Sequence, residues 1–269
     1  MNWLRDIRNR IDFPLRQRIA WERTGLGFKQ ESKHALFDYL PEDGRKQAKE
    51  REVLLRSAYH LDNFYNNSTC QQYREALYYL DLLEAAIDAA APTLPDTLTM
   101  ADIGVSHWFY VQTLHALLKW WHCPDGRQLK LHGFECDPYR VYANLHSRFD
   151  YAIAHIGKLA DVDFHPYAFS KHPPTFNLVL MLFPFVFQHD HLQWGLPGNY
   201  FNPQDLLLAA WQSLQSGGLL ITVNQGAEEH QAQLKLLSHL PNPTAASFEF
   251  TSPFFEYELP RFVTVVIDD

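Results

Sequence analysis

Two acidic residues each close an apolar run in this chain. One is Asp102, in Met100-Ala101-Asp102-Ile103-Gly104-Val105-Ser106-His107; the other is Glu135, in Leu131-His132-Gly133-Phe134-Glu135-Cys136-Asp137-Pro138. A parallel strand delivers an acid at its end to the carboxyl edge of the sheet, where open α/β folds bind ligands. A third group is the polar loop Gln188-His189-Asp190-His191, continuing through Trp194 to Phe201. His189 or His191 there is suited to take a proton from a hydroxyl or amine. One His-x-His pair without further spaced ligands does not make a metal site, and none is expected. A fourth is Asn224-Gln225-Gly226 with Glu228 and Glu229, which either binds substrate or caps the helix after it. Arg148 and Asp150 are read as a surface pair.

These residues need elements to carry them. Residues 42–65 and 71–91 read as helices, the second with Tyr73, Ala76, Leu77, Leu80, Leu83, Ile87 and Ala90 in one apolar stripe. Pro92 and Pro95 end it, and the domain boundary is placed in the linker that follows: a helical extension over 1–95 and an α/β domain over 96–269. Strands are expected at 99–103, 129–135, 162–167, 176–182 and 218–223, with helices at 107–121, 138–156 (continuous or broken), 203–215 and 227–240 between and after them. Alternation of this kind signals a parallel sheet covered on both faces. Helix 203–215 is well marked: Asn202 as N-cap, Pro203 in the first turn, Asp205 near the positive end and Ser216-Gly217-Gly218 as the close. Residues 246–250 and 261–267 complete the sheet as an antiparallel pair.

The order of these pieces, with Asp102-Ile103-Gly104 and Gly133-Phe134-Glu135-Cys136-Asp137-Pro138, resembles the class I S-adenosylmethionine-dependent methyltransferases. The resemblance covers residues 96–269 and implies a Rossmann-like, seven-stranded, mostly parallel sheet with an antiparallel C-terminal hairpin. It implies S-adenosylmethionine as cofactor and an unidentified methyl acceptor, small molecule or macromolecule. Asp102, Gly104 and Ser106 correspond to the family's first motif, which is degenerate here because Ser106 and Trp108 stand where further glycines are usual. The Trp108 ring either closes the pocket or turns into the core, the second being preferred. Glu135 corresponds to the acid that accepts hydrogen bonds from the cofactor ribose, since a carboxylate gives two acceptor oxygens to a vicinal diol; Asp137 either helps or caps the next helix. After the third strand the family often has an acid for adenine. Tyr167 is the replacement in Phe164-His165-Pro166-Tyr167. Pro184 and Phe185 follow the fourth strand without the polar residue of the adenine and glutamine amino-methyltransferases, so that subclass is rejected. With Trp194, Asn224 and Gln225 they form the expected acceptor side, and His189 and His191 the catalytic pair. The departures in the first motif and after strand three motivate an alternative, a noncatalytic methyltransferase-like binding or scaffold protein. A nicotinamide dehydrogenase is disfavoured by the absence of GxGxxG.

At 269 residues the chain can bury a full core. Its net charge of -8 argues against a broad electrostatic grip on nucleic acid. The N-terminus is the one basic region: Arg5, Arg8, Arg10, Arg16, Arg18 and Arg23 outnumber Asp6, Asp12 and Glu22, read as a solvated helix face. Three scattered cysteines suggest a reduced, cytoplasmic protein. The charged opening does not suit a signal peptide, the longest apolar run (178–187) is too short for a bilayer, and no membrane partner is expected.

Overall fold

In the computed structural model, which describes residues 2–241 and 243–268, the alternating elements assemble into one seven-stranded sheet. An N-terminal group of helices, α1 (Asn2–Ile19), α2 (Glu42–Ala58), α3 (Asp62–Asn67) and α4 (Cys70–Ala90), precedes it. Then come β1 (Thr97–Ile103), α5 (Val111–Trp120), β2 (Gln128–Phe134), α6 (Arg148–Ile156), β3 (Val162–His165) and β4 (Phe176–Leu182). The chain ends with α7 (Gln188–Gln193), α8 (Pro203–Gln212), β5 (Leu214–Gln225), α9 (Gly226–Leu237), β6 (Pro243–Phe250) and β7 (Arg261–Asp268). The strand order is β3-β2-β1-β4-β5-β7-β6, with β7 antiparallel to both neighbours and the other pairings parallel. This is the Rossmann-like α/β sheet with a reversed C-terminal hairpin expected from the sequence.

Period-two alternation divides the sheet's side chains between two cores. Leu98, Met100, Leu178, Leu180, Leu219 and Ile221 face α4 and α5, whereas Ile103, Val179, Met181 and Leu220 face α8 and α9. The α4 stripe is therefore buried on the sheet: Tyr73, Leu77, Leu80, Leu83 and Ile87 share the first core with β1 and β4. Burying each such side chain is worth about 1.5–3 kcal/mol, so the sheet and the residues before the Pro92–Pro95 linker share one core. A capping box of Thr69 and Gln72 starts α4, and left-handed Ala91 (φ 44°) stops it.

Three expected helices are broken or start late. Residues 42–65 form two helices, with left-handed His60 (φ 53°) between them. The helix after β1 begins only at Val111, because 104–110 make a tight loop. The helix expected over 138–156 is confined to Arg148–Ile156; before it, Val141 and Ser147 form an isolated bridge around left-handed Leu145 (φ 64°). Ser147 and Asp150 make the capping box of α6, so Asp150 is spent on an N-terminus and does not pair with Arg148 on the surface.

Candidate active site

β1 lies between β2 and β4, so the order of connections reverses beside it, and a crevice opens at the carboxyl ends of the strands. A cavity of about 780 Å³ occupies that place. Ile103 and Gly104 after β1, Phe134 and Glu135 after β2, Leu182 to Val186 after β4 and Gln225 after β5 line it, together with Ala168, Phe169 and Ser170 from the loop after β3.

The β1 loop keeps a glycine-type path with few glycines. Gly104 (φ 81°), Ser106 (φ 53°) and Trp108 (φ 49°) are all left-handed. At Gly104 a Cβ would meet nothing within 4 Å, so the backbone there stands open to the cavity. Trp108 is fully buried, and its indole lies against Gly133, where an added Cβ would come within 2.5 Å of the ring. The ring therefore turns into the core.

Asp102 follows the ring inward. Its Oδ2 accepts from Trp108 Nε1 and Tyr110 OH, both at 2.8 Å, and the carboxylate is 1% exposed. Burial pushes its pKa up to about 7, against the two hydrogen bonds that favour the charged form. Asp102 does not line the cavity. Glu135 does: its Oε2 accepts from the Ser106 backbone N–H at 2.7 Å and its Oε1 from the Asp137 N–H at 2.8 Å. Buried Arg148 stands 3.5 Å from Glu135 and 3.8 Å from Asp137, and its guanidinium stacks 4.3 Å above the Trp194 ring. One arginine thus joins the carboxylates after β2 to the aromatic wall on the β4 side.

Gly104, Ser106, Glu135, Pro184, Phe185, His191, Trp194 and Gln225 come together around the cavity. Asp137 instead lies under α1, in a two-pronged pair with Arg16 (2.9 Å each). Tyr167 is exposed, with its hydroxyl 3.0 Å from His165 Nδ1. His189 lies outside the lining, stacked on Phe187 and paired with Asp190, which does line the cavity. Asn224 is fully buried, and neither end of its amide has a partner among the described residues. His191 is buried, and its Nε2–H donates to the Pro197 carbonyl at 2.9 Å, which leaves Nδ1 as the acceptor of a neutral ring. Burial lowers its pKa.

Several lining residues were not expected from the sequence, and one, Glu229, was expected beside Gln225 as a substrate-binding or capping group. His107 packs beside Ser106, its pKa lowered to about 4 mainly by burial and secondarily by Arg148. Glu229 accepts from the Gln225 backbone and side chain, and burial raises its pKa. Phe169 ends the run after strand three in which Tyr167 was the expected adenine partner, and Ser170 lies just past it. Phe13 comes from α1, nearly a hundred residues before the sheet motifs, and no local pattern connects it with them. It meets Tyr200 edge-on at 5.1 Å and closes one side of the cavity.

No family model matches this chain, and no curated protein does. Solved structures similar to it include methyltransferases, several of them S-adenosylmethionine-dependent. One is a precorrin-6Y C5,15-methyltransferase from Geobacter metallireducens, 14% identical, covering 70% of this chain and 86% of its own, at a TM-score of 0.42. Another, from Aquifex aeolicus, is 12% identical over 69% of this chain and 89% of its own, at 0.43. An N-methyltransferase from Bradyrhizobium japonicum is 10% identical over 70% and 93%, at 0.44.

Proposed function

We propose that the cavity binds S-adenosylmethionine on its β1–β2 side and a methyl acceptor on its β4–β5 side. The observation that carries this reading is the meeting of an open left-handed glycine turn and a cavity-lining carboxylate on adjacent strand ends, at the switch point of the sheet. The residues fit the cofactor: the space at Gly104 admits its amino-acid end, Glu135 retains lone pairs for ribose hydroxyls, and Ile103, Phe134, Phe169 and Ser170 offer apolar walls and a hydroxyl to the base. When bound, the cofactor supplies an electrophilic methyl group on a sulfonium, so the protein's work is to align, dehydrate and, where needed, accept a proton.

The acceptor side is walled by Phe185, Trp194 and Phe201, with Gln225, His191 and Glu229 as its polar groups. This composition suits a flat, partly polar acceptor better than a phosphate-rich one. His191 Nδ1 and Glu229 are the proton acceptors we assign: burial favours a neutral imidazole in the first and raises the basicity of the second. Calorimetric titration with S-adenosylmethionine and S-adenosylhomocysteine tests the cofactor half. Transfer of a labelled methyl group to candidate acceptors tests the rest, with substitutions of His191 or Glu229 expected to lower kcat more than cofactor affinity.

A second reading, a noncatalytic binding protein, is favoured by two observations. Asp102 is committed to Trp108 and Tyr110, and both Glu135 oxygens already accept backbone N–H groups. Cofactor binding without transfer to any acceptor would support it.

A further inference from the structure

Helix α1 is built inside out. Its inner face docks by polar contacts: Asn9 Nδ2 donates to the carbonyls of Leu192 and Leu196, Asp6 accepts from the Gly198 N–H, Arg16 grips Asp137 and the Gly195 carbonyl, and Gln17 donates to the Cys136 carbonyl. Phe13 is the one apolar side chain of α1 buried against the body. The outer face carries Leu4, Ile7, Ile11, Leu15 and Ile19, at three- and four-residue steps and each 49–66% exposed. Water selects the opposite arrangement for a surface helix, and a continuous exposed apolar stripe marks an interaction surface.

Three observations identify the occupant. The helix carries five arginines against two aspartates in a chain of net charge -8, so this face is positive on an acidic protein. Arg5 and Arg18 are exposed and make no ion pair among the described residues, while Arg8 and Arg10 are held along the helix by Asp12 and Asp6. Trp3 (65% exposed) and Trp21 (44%) lie about five turns apart and bracket the stripe. Trp21 is tied to the Leu145 carbonyl, and Leu145 (57% exposed) extends the apolar surface beyond the helix. Branched aliphatics between tryptophans, flanked by arginines, match the depth profile of an interfacial helix on anionic lipid. A second copy of this face would bring arginine against arginine.

Against the sequence-based expectation of a solvated face and no membrane partner, we propose that α1 is a peripheral docking helix for an anionic membrane surface, with its aliphatic stripe entering the acyl boundary and its arginines at the headgroups. No helix among the described residues is long and apolar enough to cross a membrane, and this one would lie on it. The proposal does not depend on the methyl-transfer reading.

The test is sedimentation of the full chain with vesicles of phosphatidylcholine alone and with about 30% phosphatidylglycerol. Wild type should favour the anionic vesicles by at least about tenfold, and this preference should fade as salt rises. Replacing Ile7 and Ile11 together by Asn should weaken binding by about a hundredfold. Arg5→Ser with Arg18→Ser should cost about fivefold per charge while leaving circular dichroism and α1 docking unchanged. Absence of wild-type binding to the anionic vesicles at low salt would overturn the proposal, as would binding that the Ile7/Ile11 double variant retains. So would a dimer, seen by sedimentation velocity without vesicle binding, that the same double variant dissolves; the stripe would then be a self-interface.

Discussion

Asp102 and Glu135 each close an apolar run near the carboxyl end of neighbouring strands, Asp102 opposite Gly133 and Glu135 two positions further along, and their carboxylates meet opposite surroundings. Asp102 is drawn into the core by the indole of Trp108 and the hydroxyl of Tyr110, and burial raises its pKa to about 7. Glu135 stays at the cavity wall, held by two backbone N–H groups and close to Arg148. The difference arises from the single loop between them. Where a glycine would leave space, Trp108 fills the core and takes Asp102 as its partner. A strand-end acid therefore reaches a ligand only if the following loop does not claim it first.

The largest effect that would separate the two acids is one of pH. A carboxyl raised from 3.8 to about 7 in the folded state holds its proton more tightly there than in the unfolded chain. Its effect on stability is most favourable below pH 3.8, is lost as pH rises through that window and is level above about 7. The loss amounts to at most about 4 kcal/mol. The stability difference between wild type and Asp102→Asn, measured by denaturant midpoint from pH 4 to 8, should move against wild type by this order. A pH-independent difference would mean that Asp102 is not held as described.

Next in size is Gly133→Ala, which presses a methyl group into the Trp108 ring that positions Asp102. Overpacking of a fixed core ring should cost about 3 kcal/mol in unfolding free energy, and a loss below about 1 kcal/mol would show that the ring can move aside. Glu135→Ala is the counterpart on the cavity side. It should weaken S-adenosylmethionine binding by about 1.5–3 kcal/mol by calorimetry in a protein that remains folded, and unchanged affinity would sink its assignment to the ribose. The smallest effect is expected at Ser106. Relief of its left-handed backbone by Ser106→Gly should raise stability by about 0.5–1 kcal/mol, offset in part by unfolded-chain entropy.

The strands and their order were legible because they rest on short-range periodicity: alternating apolar residues, acids at strand ends and turn residues between. Gly104, Glu135, Pro184, Phe185, Trp194 and Gln225 could be placed near one another from sheet topology alone, since adjacent parallel strands send their carboxyl ends to one crevice. A break within 138–156 was left open by the sequence, but its place at Leu145 was not legible, because leucine does not signal a left-handed turn; the break at His60 was not expected. The lining residues His107 and Phe13 depend on how a loop folds back and which helix crosses it.

Two of the N-terminal helices, α1 and α4, mark the same division. The apolar stripe of α4 and the arginines of α1 can be read directly from the sequence, and with them the fact that each helix is amphipathic. Which face turns inward was decided by the tertiary structure. α4 meets the apolar surface of the sheet and buries its stripe there. α1 meets exposed carbonyls and the Asp137 carboxylate at the edge of the cavity, so its Asn9 and Arg16 turn inward and its isoleucines are left outside. Amphipathicity is a local property of residue spacing, whereas the direction a helix faces is set by the polarity of what it packs against.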